Sequence, residues 1–198
     1  MEKVEMNKSM KLSEHFTLGE LCKTKYVTED GNIPSRVVIE NLIRVCGWLE
    51  DLRYSYNMLY VHSGVRPQSK VVAGVRPQSK VAGDCTLAPD PGAAPDPGAA
   101  PASRKEEPIV INSGYRSPEV NRLAGGAANS NHLSGCAVDI RGAGKEQMIR
   151  YASILLDIAD GSKQEYDELL LEQHGSVCWL HFAVRPKENR RIIRFLRV

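Results

Sequence analysis

Two stretches of the chain carry apolar residues at the spacing of an amphipathic helix. The first helix is predicted to begin near Pro34 or Ser35 and to run to about Tyr54, and the second is predicted over residues 145–159, with Gly161 closing it. The apolar positions are Val37, Val38, Leu42, Val45, Leu49 and Leu52 in the first helix, and Met148, Tyr151, Ala152, Leu155, Leu156 and Ile158 in the second. Each helix is therefore expected to bury one face.

Two shorter helices have their own start signals. Thr17 stands three residues before Glu20, which is the arrangement of a capping box. Pro118 suits the first turn of a helix that Ser117 caps and Gly125 ends. Both helices are predicted to be brief.

Strand signals lie between and after these helices. Residues 109–111 are a β-branched run that Asn-Ser-Gly follows. Three more candidate strands come later in the chain: the run around Asp139, the run DELLLEQ and the run VCWLHFAV. Together with the helices they predict an α+β fold, in which a small antiparallel sheet is packed with helices on one side.

The last two runs predict a hairpin with a defined register. Gly175 followed by Ser176 suits a two-residue type II′ turn, which requires glycine first. In this register Glu172 pairs with Trp179 and Leu170 pairs with His181, so Glu172 and His181 project from the same face. A slip of one residue would move Glu172 to the opposite face.

The composition changes abruptly between residues 61 and 107. GVRPQSK occurs at 64–70 and again at 74–80, and APDPGA occurs at 88–93 and again at 94–99. Frequent proline excludes helices and central strands. We therefore predict a single domain formed by residues 1–60 and 108–198, interrupted by a disordered Pro/Gly/Ala-rich insertion at 61–107.

Composition and charge narrow the classes of protein. The chain has 198 residues and is 42% hydrophobic, which suits one core, and its formal net charge of +2 gives no global field in favour of nucleic acid, which is not expected as a partner. No apolar run is long enough for a membrane helix or resembles a signal peptide, so we expect a chain that is made in the cytoplasm and is not inserted in membranes. We also expect a monomer. Five scattered cysteines fit a reduced compartment.

The candidate chemistry centres on His132 and Asp139, seven residues apart. Such a pair alone is often a loop histidine and a surface aspartate, but imidazole and carboxylate are also donors that zinc accepts. A catalytic zinc needs three protein ligands and one open position, and His181 in the last apolar run is the best third candidate. Cys136 and Cys178 neighbour these residues and are interpreted as small buried side chains.

The wider pattern resembles a known family. Residues 130–139 read SxHxxGxAxD, SGYRSPEVN precedes them, and Trp179 stands two residues before His181. This pattern is similar to the zinc D-Ala-D-Ala carboxypeptidase family of peptidoglycan metallopeptidases, whose fold is shared by the hedgehog amino-terminal domain. The resemblance implies one zinc ion on His132, Asp139 and His181, and hydrolysis of amide bonds in stem or cross-link peptides that contain D-amino acids.

The resemblance also suggests roles for other residues. Arg116 is expected to anchor the substrate, Ser130 to give a polar contact, and Tyr115 to lie at the mouth of the site. Some branches place the general base three residues before the last histidine, but that residue here is Cys178. Glu172 is the better candidate, and His174 stays an alternative.

Several alternatives remain open at this point. The cleaving activity could be that of a carboxypeptidase, a dipeptidase or an endopeptidase, and Mn, Fe or Co also suits the ligands. Lacking a signal peptide, a wall peptidase would reach the wall on lysis, as phage endolysins do. The same fold also occurs as a zinc-containing binding module without peptidase action. A basic carboxy-terminal segment, RPKENRRIIRFLRV, is a weaker candidate for a polymer contact.

Overall fold

The structure is a computed structural model that describes residues 6–62 and 105–197. The helices are α1 (Leu18–Leu21), α2 (Arg36–Tyr56), α3 (Pro118–Leu123) and α4 (Lys145–Ser162), with a π-helical segment at Asn57–His62 and a 3-10 turn at Asn131–Ser134. The strands are β1 (Ile111–Ser113), β2 (Ala137–Arg141), β3 (Glu168–His174), β4 (Val177–Ala183) and β5 (Ile192–Arg197).

The five strands form one sheet in the order β1-β2-β4-β3-β5. Strands β1 to β4 pair antiparallel, and β5 joins the edge of the sheet parallel to β3. The predicted α+β class is therefore confirmed. The repeats of the predicted 61–107 insertion fall outside the described residues.

The predicted hairpin register is confirmed. Leu170 lies opposite His181 and Glu172 lies opposite Trp179, while Gly175 takes a φ of 58° at the turn. A positive φ at the first turn residue is what a type II′ turn requires, and glycine reaches it without strain. Because side chains alternate along a strand, this register decides for each residue of β3 and β4 which face of the sheet its side chain is on.

One face of the sheet belongs to the core. Its central residues are at most 7% exposed, and they are Val138, Ile140, Leu169, Leu171, Leu180 and Phe182. Trp48 of α2 packs on Phe182 with ring centroids 5.3 Å apart, and Tyr56 of α2 meets Tyr151 of α4 at 4.8 Å. The helices therefore cover this face, while the opposite face carries the polar residues of the candidate site.

The helix signals mostly coincide with the structure. Both parts of the Thr17 capping box form, and Ser117 caps α3 ahead of Pro118. Helix α4 continues beyond the predicted stop at Gly161, and Lys163 with a φ of 57° ends it instead. A single glycine in the last turn costs too little to end a helix whose apolar face is already packed. Among the described residues, no helix is long and apolar enough to cross a membrane.

The end of α2 contacts the described residues that precede β1. Asn57 donates to the carbonyl of Glu107 at 3.0 Å and accepts from its amide at 2.7 Å. Arg53 pairs with Glu106 beside it. Residues 106 and 107, which the sequence prediction placed at the end of the insertion, therefore contact the end of α2.

Asp167, directly before β3, contacts both the segment that leads into β5 and the 3-10 turn. Its fully buried carboxylate accepts hydrogen bonds from Arg190 at 2.6 and 2.8 Å and from Asn131 at 2.8 Å. Burial alone would raise the pKa of Asp167, but these hydrogen bonds outweigh it and hold that pKa below its usual value. The carboxylate is therefore ionised in the folded protein.

Replacing Asp167 by alanine is expected to lower the free energy of unfolding by about 3 kcal/mol at pH 7, because a fully buried carboxylate and its hydrogen bonds from Arg190 and Asn131 are lost. The folded pKa lies below the unfolded value, so the contribution is complete above pH ~4 and is lost as the pH falls through the folded pKa. Urea denaturation at pH 7 and in acid should show the difference between the two proteins shrinking in acid.

Asp160→Ala is the matched control for this change. Asp160 also pairs with an arginine, Arg191, at 2.7 Å, but its side chain is 72% exposed. Its loss should change the free energy of unfolding by less than about 0.5 kcal/mol. Equal effects of the two substitutions would contradict the account of Asp167.

Candidate metal centre

The structure brings His132, Asp139 and His181 together. His132 comes from the 3-10 turn, Asp139 is the central residue of β2, and His181 lies directly opposite Asp139 on β4. One ligand atom from each residue lies within 4.8 Å of the others, and all three residues are buried. Among the described residues, it is the one group of three or more His, Cys, Asp or Glu side chains whose ligand atoms lie this close together.

Both imidazoles face one carboxylate oxygen. Oδ1 of Asp139 lies 2.9 Å from Nδ1 of His181 and 3.3 Å from Nε2 of His132. The two rings meet edge to face, with centroids 5.0 Å apart. The three donor atoms thus surround one small space.

Backbone geometry places His132. Ser130 caps the 3-10 turn by accepting from the His132 amide at 3.3 Å, and Gly135 ends the turn with a φ of 70°. Nδ1 of His132 lies 2.6 Å from the carbonyl oxygen of Gly114. A carbonyl only accepts, so Nδ1 carries the proton and Nε2 keeps its lone pair for a metal.

Gly114 is needed where it stands. A Cβ on this residue would lie 2.3 Å from the carbonyl oxygen of Leu21, so no other residue allows the same approach to α1. The adjoining amide of Tyr115 donates to that oxygen at 2.7 Å. This contact with α1 fixes the carbonyl that in turn orients His132.

Arg116 contacts the other oxygen of Asp139. Its Nη2 lies 2.5 Å from Oδ2 of Asp139, and its Nε donates to Ser113 at 2.8 Å. Asp139 is therefore shared between two imidazoles and a guanidinium. The residue predicted to anchor the substrate also holds a predicted metal ligand in place.

The charges in the cluster are strongly coupled. Burial alone would raise the pKa of Asp139, but His132 and His181 outweigh it and hold that pKa far below its usual value. Burial opposes a charge on His181, yet hydrogen bonds with Asp139 and Glu168 raise its pKa to about 9. The cluster thus stabilises a positive charge beside the Asp139 carboxylate. A bound metal ion would supply that charge in place of the proton on His181.

Two clefts flank the cluster. The first, here called the carboxylate cleft, measures about 630 Å³, and its lining includes Ser130, Glu168, Glu172, His181, Arg185 and Arg190. The second, the cationic cleft, measures about 450 Å³, and the charged residues of its lining are Lys23, Lys25, Arg116 and Arg141. No acidic side chain among the described residues lines the cationic cleft.

Glu172 lies on the same face as His181, half-buried in the carboxylate cleft. Burial raises the pKa of this carboxyl above its usual value. His174 shares that face but lies exposed at the end of the hairpin, two residues further from the cluster. Its Cα is roughly 13 Å along the strand from the residue opposite His181, against about 7 Å for Glu172.

Tyr115 does not line either cleft. Its side chain is 7% exposed and belongs to the hydrophobic core. Ser130 does line the carboxylate cleft, and Arg116 lines the cationic one. Among the three predicted substrate contacts, Ser130 and Arg116 are the ones that reach open space.

Glu168 was not singled out from the sequence. Its Oε2 lies 3.5 Å from Nε2 of His181, and it lines the carboxylate cleft. The alternation of β3 contained the signal, because Glu168, Leu170 and Glu172 must share one face once the register is set. The neighbours that fix Glu168 come from distant parts of the chain and have no local signature.

These residues fit a divalent metal. Two neutral imidazole nitrogens and a carboxylate are a donor set that zinc accepts, and three protein ligands leave one position for a reactant. The orientation of His132 leaves its lone pair directed to the cluster. The cluster could therefore bind a metal ion in an α+β fold whose sheet carries all but one of the ligands.

The comparison with known families agrees with this class of site. Residues 102–164 match the family described as Peptidase M15, a range that contains His132 and Asp139 and ends before His181. The match supports the resemblance of the motifs to the M15 family of zinc D-Ala-D-Ala carboxypeptidase-like peptidases. The similarity to this family supports a site of the metallopeptidase class, with peptides as substrates. No curated protein matches the chain.

Replacing His132, Asp139 or His181 by alanine is expected to reduce bound zinc from one ion per chain to less than about a tenth, because two ligands alone bind weakly. Inductively coupled plasma mass spectrometry after dialysis against buffered zinc measures the content. His62→Ala is the control, since His62 is an exposed histidine outside the cluster. Equal zinc loss in the control, or full zinc in the cluster variants, would contradict the assignment.

Proposed function

We propose that the protein is a zinc-dependent peptidase that hydrolyses amide bonds in peptidoglycan stem or cross-link peptides. The observation that carries the proposal is the buried His132–Asp139–His181 cluster with the Glu172 carboxylate on the same face of the sheet. When bound there, zinc would act as a Lewis acid that polarises the scissile carbonyl and makes water a better nucleophile.

Glu172 is our candidate for the general base. It would accept a proton from the attacking water and later hand it to the departing amine. Burial raises the pKa of Glu172, which makes its carboxylate a stronger base than an exposed glutamate. The hydrogen bond with His181 holds the pKa of Glu168 below its usual value, so Glu168 is the weaker base. The exposed His174 lies further from the cluster along β3.

The carboxylate of a substrate finds its best partners in the cationic cleft. Arg116 forms the wall between that cleft and Asp139, and Lys23, Lys25 and Arg141 complete a lining without acidic side chains. Peptides that carry free carboxylates, as peptidoglycan stem peptides do, are attracted by such a cleft. Guanidinium groups add directional pairing with carboxylates.

Ser130 contributes on the opposite side of the cluster. Its hydroxyl accepts from the His132 amide and lies on the wall of the carboxylate cleft. A peptide that crosses the cluster would place one end in each cleft. This arrangement would hold the reacting carbonyl near the three ligands, which is the main contribution of a binding site to rate.

The test is mass spectrometry of the soluble peptides that zinc-loaded protein releases from purified peptidoglycan. Glu172→Ala is expected to slow release by about a hundred- to ten-thousand-fold while zinc content stays the same, because it removes the proton acceptor and no ligand. Glu165→Ala is the control for loss of a carboxylate nearby, since Glu165 lies outside the strand and pairs with Arg191. Its release rate should equal that of the unchanged protein.

Each outcome decides between functions. Released fragments name the bond, because single D-alanine, a dipeptide and a cross-linked fragment differ in mass. Release by the unchanged protein and by Glu172→Ala alike would keep the peptidase and reject Glu172, with His174 as the next variant. No release by zinc-loaded protein would reject the peptidase and favour a zinc-containing binding module for wall or protein ligands.

A further inference from the structure

Each imidazole of the cluster has its second ring nitrogen beside an oxygen. Nδ1 of His132 meets the carbonyl oxygen of Gly114 at 2.6 Å, and Nε2 of His181 lies 3.5 Å from Oε2 of Glu168. The nitrogens that face Asp139 are the other two, Nε2 of His132 and Nδ1 of His181. The two histidines thus use opposite ring nitrogens toward the cluster.

Glu168 is held in this position by groups outside the cluster. Asn131 donates to Oε2 of Glu168 at 2.9 Å, and Arg190 donates to Oε1 at 2.8 Å. Asn131 and Arg190 are both fixed by the buried carboxylate of Asp167. Both oxygens of Glu168 therefore have a partner besides His181, and its side chain has little freedom.

We infer that Glu168 is a positioning residue, which accepts the Nε2 proton of His181 and thereby directs Nδ1 of that ring to the metal. The inference rests on the proposed metal site. A carboxylate behind a ligating imidazole fixes its tautomer and orientation, and removing such a partner weakens metal binding by about 10- to 100-fold. Asp167, Asn131 and Arg190 serve this contact by keeping the carboxylate in place.

The geometry favours a positioning role for Glu168 over two alternative roles, that of a metal ligand and that of a general base. Nδ1 and Nε2 lie on different sides of the His181 ring, so a carboxylate at Nε2 stands behind the ligand and not beside Asp139. Glu168 is therefore poorly placed to bind the same ion. Its oxygens are occupied by Asn131 and Arg190, so it is also less able than Glu172 to exchange protons with a reactant.

The test is zinc affinity, measured by competition with a chromophoric chelator of known affinity. Glu168→Ala should raise the dissociation constant about 10- to 100-fold. Glu168→Gln keeps an oxygen for the Nε2 proton and should stay within about fivefold of the unchanged protein. Glu165→Ala, which removes a carboxylate outside the network, should leave the dissociation constant unchanged. A dissociation constant in Glu168→Ala equal to that of the unchanged protein overturns the inference.

A second readout reports the ring directly. Long-range proton–nitrogen NMR of the zinc-loaded protein should show His181 bound through Nδ1 with a proton on Nε2, and His132 with the reverse arrangement. In Glu168→Ala the Nε2 proton of His181 should exchange with water faster than in Glu168→Gln. A His181 ring bound through Nε2 in the unchanged protein overturns the inference.

The result separates this inference from the proposed function. If the unchanged protein binds no zinc, the metal site itself fails. If it binds one zinc and Glu168→Ala binds it equally well, the role of Glu168 fails alone. Thermal unfolding of the metal-free variants shows that each is folded, so a loss of affinity is not a loss of the domain.

Discussion

The carboxylate of Asp139 is the group on which the candidate site depends. One oxygen faces His132 and His181, and the other binds Arg116. A buried carboxylate without partners would cost several kcal/mol, so the fold must supply positive charge around it. Arg116 and His181, whose pKa is raised, supply positive charge here, and a bound metal ion would also meet this demand.

The pairing of β2 with β4 makes this arrangement possible. It places His181 opposite Asp139 although the two residues are 42 positions apart in the chain. The same sheet separates its faces sharply, with Val138 and Phe182 in the core and the polar residues on the other side. The helices pack on the core face and bury its apolar side chains. The opposite face can therefore carry the charged groups of the candidate site.

Much of the fold could be predicted from local patterns. Apolar spacing gave the two long helices, and the Gly175–Ser176 turn gave the register that aligns Glu172 with His181. The three cluster residues could be predicted because the motif around His132 and Asp139 resembles that of a known peptidase family, and the last apolar strand offers His181 as the third ligand. The helix and turn signals are local and have a direct physical cause in backbone geometry or burial, whereas the ligand set follows from the resemblance.

The sequence could not predict the partners that come from distant turns. The burial of Tyr115, the Arg116–Asp139 contact and the Asn131–Glu168 contact depend on how β1, the 3-10 turn and β3 meet in space. Alternation along a strand assigns a face but does not choose a partner. The contact between Asp167, in front of β3, and Arg190, in front of β5, likewise has no local pattern.

The most direct test of this account is the position of the metal itself. Crystals of the zinc-loaded protein, with diffraction data collected on both sides of the zinc absorption edge, locate the ion without assumptions about function. The account predicts one anomalous peak, about 2.0–2.2 Å from Nε2 of His132, Nδ1 of His181 and a carboxylate oxygen of Asp139. A peak bound to other residues, or none at this cluster, would contradict it.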